Sequence, residues 1–390
     1  MGRYVLALTG LVVLTVCARA ADEQWLMYRT SSEMSRIVGM SSRSIVVPTA
    51  TEAPDDVALP ELNHKEPVYG KWSTPMTETG HVWFAFDRKG KYGSFNRLYA
   101  DLDCDGDLTD EEAIKPRTAS DYSVAFGPIP VVFTTEEGPV TYHLSVQLYT
   151  HGKTPRVYLR SSAWYEGKVT VGDNEFRCIL VDYNTNGRFG DAGPKLNAVD
   201  RVRLGPVAID KLDTYFVGEL MELGGAYYRT TVATDGAFIA FEAAEDIATG
   251  TVQLSSAVST FSAAGAKGLF HFQPDESGTI TLPAGKYKSY DWSLEQKDDK
   301  GIPWKAHANT GREWFVVREG AETELSVGAP LVSSLKVTQT DGQFRFSQSL
   351  QGQLKESVSL TRKGSRPPAP KLRLVSKTGD YDKTLTFEYG

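Results

Sequence analysis

Along residues 141–148, apolar and polar side chains alternate without a break. Tyr142, Leu144, Val146 and Leu148 fall on one side, and Thr141, His143, Ser145 and Gln147 on the other. A period of two marks a half-buried strand, because successive side chains of a strand point to opposite faces. The pattern recurs at Trp83-Phe84-Ala85-Phe86, Arg156-Val157-Tyr158-Leu159, Gln343-Phe344-Arg345-Phe346, Lys371-Leu372-Arg373-Leu374 and Thr384 to Tyr389. Asp235-Gly236 and Asp341-Gly342 stand between such runs and supply residues that tolerate positive φ in tight hairpin turns. No window spaces apolar residues by three and four over a dozen positions, so little helix is expected. Short helical pieces are predicted only at Arg29–Ile37 and Glu242–Ile247. The chain reads as all-β: antiparallel sandwich or barrel modules with loops set between strands.

The 390 residues divide into a leader and a set of modules. Arg3 followed by the apolar run Tyr4–Val16 and Ala18-Arg19-Ala20 has the layout of a secretory signal peptide over residues 1–20. A lipoprotein modified at Cys17 is the alternative, and the bulky Val16 before that cysteine argues against it. Removal takes away Arg3 and Arg19 and no acid, leaving 40 bases against 49 acids and a net charge of −9. An acidic chain without a basic run is not built to hold nucleic acid. No later stretch reaches the ~18 apolar residues of a membrane span. The expected location is therefore outside the cytoplasm: periplasmic, cell-surface or secreted. An N-terminal extension and proline-rich linker (21–66) precede a β-rich domain (67–248). A β-sandwich-like domain (249–330) follows, then a C-terminal β module (331–390) that is either separate or continuous with it. Thr279 to Tyr287 resembles the strand entry of transthyretin-like or immunoglobulin-like sandwiches.

The chemistry lies in an internal repeat. Leu98-Tyr99-Ala100-Asp101-Leu102-Asp103-Cys104-Asp105-Gly106-Asp107-Leu108-Thr109-Asp110 aligns without gaps on Ile179-Leu180-Val181-Asp182-Tyr183-Asn184-Thr185-Asn186-Gly187-Arg188-Phe189-Gly190-Asp191, at a constant offset of 81 residues. Each copy places an apolar strand before oxygen-bearing side chains at loop positions one, three and five. Gly follows at six, an apolar residue at eight and Asp at ten. Calcium takes six to eight oxygens at ~2.3–2.6 Å, and alternate residues of a curled loop aim oxygens at one point. Gly at six permits the reversal, and the carbonyl of Asp107 or Arg188 at position seven adds an oxygen. The carboxylates crowded into the first loop would repel one another without a cation. The candidate ligands are Asp101, Asp103, Asp105, Asp107, Asp110 and Glu112 in loop one. In loop two they are Asp182, Asn184, Asn186, Arg188 and Asp191. Loop one, with more acid, is expected to bind Ca2+ more tightly.

The first loop resembles the EF-hand loop, with Asp101, Asp103, Asp105, Gly106 and Glu112 at the matching positions. The second has Gly193 where that family closes with a carboxylate, so closure would fall to Asp191 or a later residue such as Asp200. Pro116 after loop one, and Gly190, Gly193 and Pro194 in and after loop two, exclude the helices of a true EF-hand. The pair is similar to helix-less relatives of EF-hand and dockerin loops. The stretch from about Pro67 to Ile247 resembles exported bacterial β-rich proteins of uncharacterised activity that carry such paired loops. That resemblance implies calcium and a β-rich architecture, and no reaction.

Catalytic patterns are lacking: there is no His-Glu-x-x-His, no Gly-x-Ser-x-Gly and no phosphate or dinucleotide loop. The six histidines are scattered, and Ser333-x-x-Lys336 is a chance-level match. Trp164-Tyr165 and Trp304 read as packing residues before they read as a carbohydrate platform. Cys104 and Cys178 remain after the leader, either as two thiols or as a disulfide. The sequence thus favours a non-enzymatic calcium-stabilised protein with a protein or glycan partner. The alternative is a secreted hydrolase of glycans or peptides that uses calcium as a structural ion.

Overall fold

A computed structural model describes residues 22–90, 94–151, 154–208, 211–309 and 311–389. The expected leader and Cys17 lie outside the described residues. The architecture is all-β, with one five-residue helix, Met34–Val38, among the described residues. The helix stops at Gly39, which adopts a left-handed φ of 68° that suits a residue without a Cβ.

Four sheets surround the larger core. One has the order Ile45–Val47, Arg156–Ser161, Gly138–Tyr149, Ser123–Thr135, Thr118–Ala119. A second runs Asp213–Phe216, Arg201–Pro206, Asn174–Val181, Ala163–Val171, Met27–Thr30. A third holds Thr49–Ala50, Val68–Ser73, His81–Asp87 and Arg97–Ala100, and a fourth holds Gln24–Trp25, Phe238–Ala243, Ala226–Val232 and Leu220–Leu223. The alternation at 142–148 does what its period predicts. Tyr142, Leu144, Val146 and Leu148 are buried in this core with Phe84, Phe86, Phe126, Phe133 and Leu180. Their polar neighbours face outward.

A second core gathers Phe261, Phe270, Tyr287, Trp292, Leu294 and Val358. Its main sheet includes Val258–Gly265, Gly285–Lys297, Pro303–Ala308 and Val358–Arg362. Buried Glu356 accepts hydrogen bonds from Trp292 Nε1 (2.8 Å) and from the Leu354 amide (2.8 Å), tying this late segment into that core. The hairpin Val332–Thr340/Gln343–Gln351 turns at Asp341 (φ 50°) and Gly342 (φ 75°), the expected Asp-Gly turn. Every residue of its first strand is exposed.

Two short expectations differ. Residues 242–247 are not helical: Phe238–Ala243 is a strand whose Glu242 lies opposite Arg229, and irregular chain follows. Of 29–37, the first part is strand Met27–Thr30, paired with Ala163–Glu166, and only Met34 onward is helical. Backbone pairing with a strand more than a hundred residues away outweighs the weak helical preference at 29–30.

Candidate metal centre

Each loop leaves the end of a core strand. Loop one follows Arg97–Ala100 and loop two follows Asn174–Val181. The repeat seen in the sequence is a repeat of backbone conformation. Position four is left-handed in both, at Cys104 (φ 65°) and Thr185 (φ 58°), and so is position six, at Gly106 (φ 83°) and Gly187 (φ 87°). The position-seven amide caps the position-five side chain: Asp107 N donates to Asp105 Oδ1 at 2.7 Å, and Arg188 N to Asn186 Oδ1 at 2.9 Å. At position eight, Leu108 and Phe189 are buried, and their amides donate to Ala58 O and Thr234 O.

In loop one a carboxylate oxygen from each of Asp101, Asp103 and Asp105 lies within 4.8 Å of the others. Asp101 is buried, whereas Asp103 and Asp105 are exposed. Burial first, then the charges of Asp105 and Asp103, raise the Asp101 pKa above the ordinary carboxylate range. Glu111 belongs to the same acidic group. Its carboxylate accepts the Leu102 amide at 2.6 Å, and burial followed by Asp103, Asp110 and Asp101 pushes its pKa up. Asp107 turns its side chain to the Thr109 amide (2.7 Å), leaving only its carbonyl as a candidate ligand. Asp110 and Glu112 are exposed. The chain leaves loop one extended, and Ile114 pairs back onto Leu98 (2.8 and 3.1 Å), so the exit lacks the helical turn that would bring position twelve inward. Glu111 was not singled out by sequence because EF-hand numbering points one residue further.

Loop two sits deeper. Asp182 is fully buried and accepts Tyr142 Oη (2.7 Å) and the amides of Thr185 (2.6 Å) and Gly187 (2.8 Å). Asp200, also buried, accepts the amides of Tyr183 (2.9 Å) and Asp191 (2.8 Å). Burial pushes the Asp182 carboxyl up to about 6. Burial and then the charge of Asp182 push Asp200 up strongly. Asn184 and Asn186 each donate an amide N–H to Asp191 Oδ2, at 2.8 and 2.7 Å, and Arg188 Nε lies 3.7 Å from Asp191 Oδ1. Asp105 and Glu111 of the first loop accept backbone amides, whereas side-chain amides meet Asp191 in the second loop. An ion there would need both asparagine amides turned to present oxygen.

The chemistry of the first loop's donors fits a hard cation. They are convergent oxygens, partly withdrawn from water, and among the described residues no lysine or arginine forms an ion pair with Asp101, Asp103, Asp105 or Glu111. Cys104, inside the loop, is a free thiol whose pKa is pushed up to about 12 by burial and then by Asp101, Asp103, Asp105 and Glu111. Cys178 is also free and buried, so the two do not form a disulfide.

Other groups singled out by sequence are structural. Trp164 and Tyr165 are buried, and Trp304 Nε1 donates to Asp298 at 3.1 Å. Ser333 and Lys336 fall on opposite faces of one strand. A serine, a histidine and an acid do meet: Ser262 Oγ lies 2.9 Å from His271 Nδ1 and 3.0 Å from Asp291 Oδ1. Ser262 is only 4% exposed, and His271 Nε2 is taken by Thr214 O at 2.8 Å. That trio joins strands and offers no accessible nucleophile.

Comparison with protein-family models, with curated proteins and with solved structures gave no match.

Proposed function

We propose that this chain is an exported calcium-binding β-protein in which a Ca2+ ion at loop one fixes the junction between a core strand and its return. The protein then serves a binding or envelope-structural role rather than catalysis. One observation carries the reading: three carboxylates converge within 4.8 Å around buried Asp101, joined by Glu111, and among the described residues no lysine or arginine pairs with them. Asp101, Asp103, Asp105, the Asp107 carbonyl and Glu111 are the proposed ligands. Loop two, already satisfied by amide and hydroxyl donors, is the weaker site. Calcium bound only by the folded state would add RT ln(1 + [Ca2+]/Kd) to stability, about 2.7 kcal/mol at a hundredfold excess over Kd.

The test is calorimetric titration of the chelator-stripped protein beside Asp103→Ala. The wild-type protein is expected to show a tight step that the variant lacks. Identical isotherms would remove loop one from the account.

A further inference from the structure

Away from both loops, the N-terminal segment 31–44 lies over the sheet containing Gly138–Tyr149 and Arg156–Ser161 and borders an open cleft of about 140 Å³. Nine of the seventeen residues lining it are serines, drawn from three separate stretches of chain, and two are arginines, Arg117 and Arg160. None is Asp or Glu, although the chain holds 49 acids, about one residue in eight. The nearest acid in sequence, Glu33, pairs with Arg36, and the charge of Arg117 reaches it only through space. Among the described residues neither Arg117 nor Arg160 has a side-chain hydrogen bond or ion pair. Ser42, Ser161 and Ser162 are more than nine-tenths buried, and Ser162 Oγ lies 2.6 Å from Ser145 Oγ. Hydroxyls and guanidinium groups both donate, and the guanidinium fork matches two oxygens of one anion. Without acids the lining disfavours cations. The space is larger than a single water needs and has room for a tetrahedral anion.

We propose that this cleft binds a phosphate or sulfate group, either as the free anion or as the monoester of a small carrier such as a sugar, with Arg117 and Arg160 as its charge partners. The Ser145–Ser162 hydroxyl pair, one proton of which is used within the pair, supplies one further donor.

The experiment is calorimetric titration of the full mature chain at fixed ionic strength, without added calcium. The four probes are inorganic phosphate, inorganic sulfate, glucose 6-phosphate and galactose 6-sulfate. The expected result is one saturable site per chain, weakened at least tenfold by Arg160→Gln and by Arg117→Gln. Both substitutions lie at exposed positions, so the melting temperature and the calcium isotherm of these variants should match wild type. Ser145→Ala, which removes a hydroxyl and no charge, should weaken binding less. Esters that bind at least as tightly as the free anions identify an ester as the ligand, and binding of free anions alone identifies the inorganic ion. The absence of saturable binding to all four probes, or equal affinity in wild type and both arginine variants, would overturn the assignment.

Discussion

Gly106 and Gly187 occupy position six of the two loops, with φ of 83° and 87°, yet alanine at the two sites should have different effects. Either substitution forces an L-residue into the left-handed region, which costs roughly 1–2 kcal/mol. At 106 that is the whole penalty, because nothing lies within 4 Å of the added Cβ. At 187 the Cβ would stand 3.0 Å from Phe133 Cζ, 3.1 Å from its Cε2 and 3.2 Å from Thr74 Oγ1. Phe133 is fully buried against Trp72 and Tyr142 and has little room to retreat. Overpacking of this kind adds about 1–3 kcal/mol. Gly187→Ala should thus destabilise by about 2–5 kcal/mol and Gly106→Ala by about 1–2 kcal/mol. The variants differ by the overpacking of about 1–3 kcal/mol, so at ~2–4 °C per kcal/mol for a unit of this size melting in chelator should separate them by about 2–12 °C, with Gly187→Ala the lower. Gly106→Ala removes no ligand and should still respond to calcium. Equal melting temperatures, or a larger loss at 106, would refute the placement of loop two in the core and loop one at its rim.

Two further outcomes follow from the same geometry. With both thiols held up at about 12, neither Cys104 nor Cys178 should react readily with a disulfide reagent at pH 8 in the native protein, and both should react in denaturant; a single mixed population lacking thiols would contradict the free-cysteine assignment. Burial lowers the His143 pKa from 6.5, and its Nδ1 lies 2.8 Å from Tyr28 Oη. Its contribution to stability is therefore present above pH 6.5 and is lost as pH falls through the lower folded value, so His143→Gln should show a shallower acid-side fall in melting temperature than wild type. An unchanged slope would mean that His143 plays no part in holding the Tyr28 strand.

Much of this architecture is written in the sequence itself, for local reasons. Alternation at 142–148 reports directly which side chains are buried, and Asp341-Gly342 needs only its own backbone to make a turn. The 81-residue repeat was legible because position-specific demands, an Asx cap at five and a left-handed glycine at six, leave marks in sequence. What stayed hidden depends on contacts made at a distance. Glu111 rather than Glu112 faces the acids because Ile114 returns to Leu98. Asp200 becomes a partner of loop two because Arg201–Pro206 pairs with Asn174–Val181. The serine and arginine cleft needs segment 31–44 laid beside Gly138–Tyr149 and Arg156–Ser161, strands far from it in the chain, and no spacing in the sequence announces it.

A calcium ion at loop one that stabilises the fold must show in the melting curve of the chelator-stripped protein with and without added calcium. At a hundredfold excess over Kd the melting temperature should rise by about 5–10 °C, from ~2.7 kcal/mol of binding free energy. Superimposed curves in calcium and in chelator would contradict it.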